Sequence, residues 1–398
     1  MGINKEGFYT LKDIDEYEAP WNVIYGERAP GKSFACKFLA MRRAYETNGG
    51  IRFALIRRHD VDIKIANVEG YFMDNDINAV SLATDGEWEY VTVYKSKLYF
   101  GRTEYTDDEG HFGTVRSDYY IGEYFAINAA KHVKSTGHPN LKIALVEEFI
   151  TNEGYIKDEP AKLMHLLSTL FRRDDDVRIY LIGNTLSRVC PYFAEWGLTR
   201  IRKQKVGTID TYTMETDAGP VKIAVEYCPP SPHKSKLFFG RTAKSIQGGA
   251  WETGIYPQLQ GDFKDYDEVY KLAYLGIDNF KFNISLLVHN DEGFIVTFVY
   301  PASENRSLPE RVLSGAYSTN ILQTPCLNAD SPAEQQIAKC FSLNKVVYSD
   351  NQTAQDFKDS LKAEYTNPLS LIHFWYTFPQ MRYTLAHFYH NSITIYYI

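Results

Sequence analysis

The stretch VIYGERAPGKSFACKFLA, residues 23–40, constrains the fold of this chain more than any other. A short apolar run meets a loop, and the loop leads straight into a helix-like segment. Gly26, Gly31, Lys32 and Ser33 satisfy the spacing GxxxxGK[ST]. That spacing places backbone N–H groups of a loop and of a helix N-terminus around phosphate oxygens. Lys32 would reach the β- and γ-phosphates, and Ser33 would hold Mg²⁺. The glycines let the backbone come close without a Cβ in the way. A random chain of this length shows the spacing roughly once or twice in a hundred. The strand before it and the helix after it make a chance match rarer still. The expected ligand is ATP, with Mg²⁺.

A loop of this kind opens a βαβ unit, and the flanking sequence supplies one. Trp21–Tyr25 reads as a strand and Ser33–Tyr45 as a helix stopped by Asn48, Gly49 and Gly50; Ile51–Arg58 is a second strand. Such a unit implies a parallel sheet. Asp60–Met73 is expected to be helical. WEYVTVY, KLYFGRTEY and YYIGEYFAI are short strands, the first two joined by a hairpin at YKSK. LKIALVEEF (141–149) and VRIYLIGN (177–184) are continuous apolar runs, as strands buried on both faces are. Between them AKLMHLLSTLF (161–171) has helical spacing. The fold class is α/β, and residues 1–205 form a nucleotide-binding domain with a parallel-rich central sheet.

The texture then changes. Residues 206–265 mix Gly, Pro, Lys and Thr (VEYCPPSPHKSK, TAKSIQGGAWETG) and read as a linker with small elements. Residues 266–398 read as a smaller α+β domain. KFNISLLV and GFIVTFVYP form its hairpin around Asn290–Gly293. Helices are expected over Pro332–Cys340, with Ser331 as N-cap, and over Ala354–Ala363. The tail LIHFWYTFPQMRYTLAHFYHNSITIYYI (371–398) carries one full charge, Arg382. It fits a strand-rich layer, an interface or a poorly packed segment equally well.

Composition excludes several classes. At 398 residues two domains are natural, and 44% hydrophobic with 23% charged residues is ordinary for a folded core. Net charge is −7, so a nucleic-acid partner needs its cations gathered into a patch or channel. The five cysteines are scattered with no CxxC, which argues against a disulfide framework or zinc site and fits a reducing compartment. The polar, acidic N-terminus does not resemble a signal peptide, and no apolar run reaches 18 residues, so no membrane association is expected.

Two further features bear on chemistry. Glu147 and Glu148 end the strand LKIALVEEF. If that strand lies beside the loop strand, Glu147 reaches the Mg²⁺ site and Glu148 can polarise an attacking water. Asp is usual at the first position, and Glu147 is one methylene longer. A kinase needs no water activator, so an adjacent acid pair tilts toward hydrolysis. Further along, LLSTLFRRDDDVR and GNTLSRVCPYF hold Asn184 at a strand end, where it could sense a γ-phosphate. Arg172 and Arg173 close a helix, where a cation is favourable in its own right; an arginine finger acting on a neighbouring subunit is the sharper reading.

Together GERAPGKS, KSTGHPN leading into LKIALVEEFI, and LSTLFRRDDDVR followed by GNTLSRVCPYF resemble the DNA-encapsidation ATPases of small tailed phages, the phi twenty-nine-like packaging motors. The convincing resemblance covers about the first 200 residues. It implies an additional-strand, catalytic-glutamate ATPase core working as a homomeric ring, usually a pentamer. The ring would sit on the portal of a prohead in the host cytoplasm and drive double-stranded DNA inward. Lys32 and Ser33 match the phosphate and Mg²⁺ residues, and Arg28 matches an arginine of that family's loop. Glu147 and Glu148 fall on its acid pair, Arg172 on its arginine finger, and Lys134 on a basic residue acting across the subunit interface. The second domain would be a vestigial ribonuclease H-like domain. KFNISLLV carries no acid, so no nuclease activity is expected. A packaging RNA is a further partner in some of these phages; no residue here decides it. The DNA contacts would be sequence-independent, with Arg200, Arg202, Lys203 and Lys205, or Lys95 and Lys97, as candidates. The rival readings are a P-loop phosphotransferase for a small molecule and a nucleotide-gated scaffold protein.

Overall fold

The computed structural model describes residues 8–365, apart from 29–30, 75–76, 106–111, 134–136, 173, 232–233, 238, 241, 249, 277–279, 304–311, 315–322 and 325–330. The aromatic tail 371–398, Lys134, Arg173 and Pro30 therefore lie outside the described residues. The chain divides into two compact units. The first comprises Met1–Thr151, Asp158–Leu186 and Leu198–Glu252; the second comprises Asn152–Lys157, Ser187–Gly197 and Thr253–Ile398.

The strands of the first unit are β1 (Trp21–Gly26), β2 (Arg52–Arg57), β3 (Tyr90–Tyr94), β4 (Lys97–Tyr105), β5 (Phe112–Arg116), β6 (Gly122–Ala126), β7 (Leu141–Glu147), β8 (Arg178–Asn184), β9 (Thr208–Met214) and β10 (Val221–Tyr227). They form one sheet in the order β3-β4-β6-β2-β7-β8-β1-β10-β9, with β5 paired to β4. The middle, from β6 to β10, is parallel throughout. Antiparallel pairs finish it on both sides. Val23, Ile24, Leu55, Ala144, Leu145 and Leu181 are at most 1% exposed, which is why these strands read as unbroken apolar runs.

The helices are α1 (Lys12–Asp15), α2 (Lys32–Glu46), α3 (Ile65–Tyr71), α4 (Ala79–Ala83), α5 (Glu159–Phe171), α6 (Pro191–Glu195) and α7 (Thr242–Gly248), of which α6 belongs to the second unit. Cys36, Ala40, Met41 and Ala44 form the buried stripe of α2 and pack into the same core as Ile24, Phe53, Leu55 and Leu145. The chain leaves α2 through Asn48 and Gly49, both at positive φ, and the Gly49 N–H closes on the Ala44 carbonyl at 2.8 Å. Asp60–Met73 is not one helix. A 3₁₀ turn at Asp60–Ile63, held by His59 and Asp62, is cut from α3 by Lys64 in extended conformation.

The boundary at residue 205 is also corrected. Residues 206–265 are not a linker: β9 and β10 are full members of the sheet, and β10 runs parallel to β1 over Trp21–Tyr25. Ala224 and Cys228 share the core that holds Ile24 and Cys36. The first unit therefore runs on to Glu252. Mixed composition hid a strand, VKIAVEY, whose last five residues are buried.

The second unit carries β11 (Tyr266–Leu275), β12 (Lys281–His289), β13 (Ile295–Pro301), β14 (Val312–Ser314), β15 (Gln323–Thr324) and β16 (Val346–Tyr348), with helices α8 (Pro332–Ser342) and α9 (Asn351–Tyr365). The sheet order is β15-β14-β11-β12-β13-β16. β11, β12 and β13 form an antiparallel meander, and β14 and β15 extend it in parallel from β11. The expected β12–β13 hairpin is present. Ser331 caps α8 by accepting from the Glu334 N–H at 3.4 Å. Ile284, Val299, Ile337 and Phe357 lie in one apolar core. No helix among the described residues is long and apolar enough to cross a membrane.

Candidate functional site

β1 ends at Gly26 and α2 begins at Lys32, so the loop between them spans the expected phosphate cradle. Gly31 is the N-cap of α2 at φ 99°, a left-handed conformation that strains any residue with a Cβ. A Cβ on Gly26 would stand 3.1 Å from the Cys228 Cβ, so that position is also sterically tight. Lys32 is 4% exposed. Its Nζ donates to the Glu27 carbonyl oxygen and, at 3.2 Å, to Asn184 Oδ1. Asn184 sits opposite Gly26 in the β1–β8 register, which brings it to the loop. Burial pushes the Lys32 ammonium below the ordinary lysine value, partly offset by nearby acids including Glu147 and Glu27. A buried cation held by two neutral oxygens is suited to an anionic ligand.

β7, which carries the acid pair, does not lie beside β1: β8 is inserted between them. Glu147 nevertheless reaches the loop. Ser33 Oγ donates to Glu147 Oε2 at 3.1 Å, and Tyr71 Oη donates to Oε1 at 2.6 Å. Glu147 is 6% exposed, and burial raises its carboxyl while these two hydroxyls oppose the rise. A buried carboxylate and a hydroxyl with only neutral donors between them match the hard oxygen ligands Mg²⁺ takes.

Glu148 differs from its neighbour. Its φ of 57° is left-handed, it is exposed, and its Oε2 pairs with Arg57 Nη2 at 3.0 Å. Arg57 ends β2, which neighbours β7 in the sheet. The Arg57 and Glu148 side chains are 23% and 61% exposed, so solvent screens the pair.

Gly26, Gly31, Lys32, Ser33, Glu147 and Asn184 are thus brought together. Arg28 and Arg172 are exposed and, among the described residues, make no hydrogen bond or ion pair to that cluster; Arg172 stands at the C-terminus of α5. Of the basic run at 200–205, Arg200 is engaged: it lies 3.7 Å from Asp210, stacks 4.5 Å from the Tyr212 ring and donates to the Thr211 carbonyl at 2.6 Å.

Three residues of the site escaped the sequence. Tyr71 bonds Glu147, and its own carbonyl accepts from Lys37 Nζ at 2.9 Å. Arg57 holds Glu148. Glu27, inside the loop, is 1% exposed; its carboxylate accepts from the Ser231 N–H and from Lys234 Nζ, the latter at 3.1 Å. The one available signal was Glu27 itself, an acid within an anion-binding loop.

A family model described as Podovirus DNA encapsidation protein (Gp16) matches residues 3–217. The DNA packaging protein of Bacillus phage phi29 is 25% identical over 316 residues, covering 76% of this chain and 82% of that protein. The DNA packaging protein of Bacillus phage PZA matches to the same extent, 25% over 316 residues. Among solved structures, the bacteriophage Phi-29 viral genome packaging motor assembly aligns at a TM-score of 0.53 and 19% identity, covering 94% of this chain and 100% of that chain. At that identity the likeness is one of fold.

Proposed function

The chain belongs to the podovirus DNA encapsidation protein (Gp16) family, and from that premise we propose that it is an ATP-hydrolysing motor that moves double-stranded DNA into a prohead. The observation that carries the chemistry is the meeting of Lys32, Ser33, Glu147 and Asn184 at the ends of β1, β7 and β8. Lys32 and the N–H groups at the start of α2 hold the phosphates. Ser33 and Glu147 would hold Mg²⁺, which would supply positive charge against the phosphates. Glu148 accepts the proton of the attacking water, one of its two carboxylate oxygens being paired with Arg57. Asn184, bonded to Lys32 at 3.2 Å, registers the γ-phosphate in this reading.

The remaining residues act between subunits. In this reading Arg172 and Lys134 reach the nucleotide of a neighbour in a homomeric ring, a pentamer, seated on the portal of a prohead in the host cytoplasm. The exposure of Arg172 supports that role. Arg28 contributes to the nucleotide loop. The second unit is a vestigial ribonuclease H-like domain. Its sheet, an antiparallel meander of β11, β12 and β13 continued in parallel through β14 and β15, supports that reading.

The test is ATP turnover and DNA packaging with and without duplex DNA and prohead. Lys32→Ala is expected to abolish both. Glu148→Gln is expected to bind ATP and lose turnover by about 10²–10⁴-fold. Packaging that survives Lys32→Ala would sink the proposal. Substrate-dependent ADP release, indifferent to DNA, would instead mark a small-molecule kinase.

A further inference from the structure

The chain holds 50 acids against 43 lysines and arginines, so an exposed cation has carboxylates to choose from. At one edge of the first unit's sheet the cations meet tyrosines instead. Arg116 lies 3.9 Å from the Tyr94 ring centroid and 4.6 Å from that of Tyr99. Lys97 and Arg52 lie 3.9 Å and 3.6 Å from the Tyr120 ring, and Lys95 lies 5.2 Å from Tyr94. The three rings are contiguous, with centroids 6.4 Å apart for Tyr94–Tyr99 and 6.3 Å for Tyr99–Tyr120. None of the four cations forms an ion pair among the described residues.

Strand geometry puts them on one surface. Along β4, Leu98 and Phe100 are fully buried, so Lys97 and Tyr99 point to the opposite face. The register sets Tyr94 opposite Lys97 and Arg116 opposite Gly101, on that same face. Lys95 and Ser96 both have positive φ, 47° and 61°, the mark of a tight two-residue hairpin turn, which carries Lys95 at its tip. Glu123 pairs in register with Lys97, but its carboxylate is taken by His138 Nδ1 at 2.8 Å. Asp118 is exposed nearby.

We propose that this face, Lys95, Lys97, Arg116 and Arg52 on a tyrosine ladder, is the surface that grips the phosphate backbone of duplex DNA. The proposal rests on the packaging reading above and adds the residues that would do the holding. A cation lying on an aromatic ring is restrained without being neutralised. The side chains of Lys95, Lys97 and Arg116 make no hydrogen bond among the described residues and keep their N–H groups for phosphate oxygens, whereas Arg52 spends one on the Pro139 carbonyl at 3.3 Å; less side-chain freedom is lost on binding. Such contacts carry no sequence information, which is what translocation along any genome requires. Arg200, of the run at 200–205, differs in lying 3.7 Å from Asp210.

The experiment uses the full chain and a labelled random duplex of about 30 base pairs, with binding followed by anisotropy between about 50 and 200 mM salt. The paired change Lys97→Ala/Arg116→Ala is expected to weaken binding at least about tenfold at the low-salt end and to reduce the slope of log K against log salt by about 1.8. ATP turnover without DNA should not change, which shows that the variant is folded. Tyr94→Leu/Tyr99→Leu keeps every cation; it is expected to weaken binding about threefold with the slope unaltered. If the wild type binds duplex and the Lys97/Arg116 variant binds equally well, the grip lies elsewhere and the packaging reading stands. If the variant loses single-stranded RNA and keeps the duplex, the surface belongs to an RNA partner and this proposal is overturned. If the wild type hydrolyses ATP and binds no duplex at any salt, both readings fall.

Discussion

At Glu148 the backbone turns left-handed, so two consecutive carboxylates meet different surroundings. Glu147 stays in the strand, buried against Ser33 and Tyr71, while Glu148 emerges beside Arg57. In the proposed reading the division suits a fixed ligand to a metal and a base held at the surface. Because the Arg57–Glu148 pair is partly exposed, it is worth at most about 1 kcal/mol. Arg57→Ala is therefore expected to raise DNA-independent ATP turnover up to about fivefold and to shrink stimulation by DNA; unchanged turnover would mean the pair restrains nothing. The loop residues were legible because GxxxxGKS is written in eight consecutive letters. Glu27 and Tyr71 were not, because their partners arrive from afar. Ser231 and Lys234 lie 204 and 207 positions from Glu27, and Tyr71 is 76 from Glu147.

Among elements, β10 changes the picture most. It lies against the loop strand and carries Glu226, which is 3% exposed and accepts from Tyr9 Oη at 2.7 Å. Burial pushes the Glu226 carboxyl up to about 7 from an ordinary 4.5, more than the Tyr9 hydrogen bond lowers it. Between those values the folded chain keeps a proton that the unfolded chain has released. Stability therefore falls as pH rises from about 4.5 to about 7 and levels off above, by up to about 3 kcal/mol from this group. Glu226→Gln keeps an acceptor for Tyr9 and should flatten that part of the thermal-midpoint profile while stabilising the protein at pH 8; an unchanged profile would show that Glu226 does not titrate in this window. The parallel strands were readable because burial on both faces leaves an apolar run. β9 and β10 were not, since Lys222 and Glu226 interrupt the run and Pro-rich sequence follows. The insertion of β8 between β1 and β7 could not be read either, because strand order is settled by packing of whole elements and local periodicity does not report it.

For the whole molecule, the division at Glu252 means that the nucleotide site belongs to one continuous sheet, closed on one side by β9 and β10. What one subunit lacks is a contact from Arg172 to its own site. If that arginine serves the next subunit, two inactive proteins should repair each other. An equal mixture of Lys32→Ala and Arg172→Ala chains is expected to recover about one quarter of wild-type turnover, since that fraction of sites pairs an intact loop with an intact arginine. No recovery would place Arg172 in its own subunit or outside the reaction. Lys32 bears on the pace of such a cycle. Its ammonium already rests on the Glu27 carbonyl and on Asn184, so taking up a phosphate trades partners and adds few. Spent product can then depart without stranding a bare buried cation, because the chain reseats its own lysine. If Lys32 holds the phosphates as proposed, the loop would work as a self-resetting latch, suited to rapid exchange more than to tenacious storage.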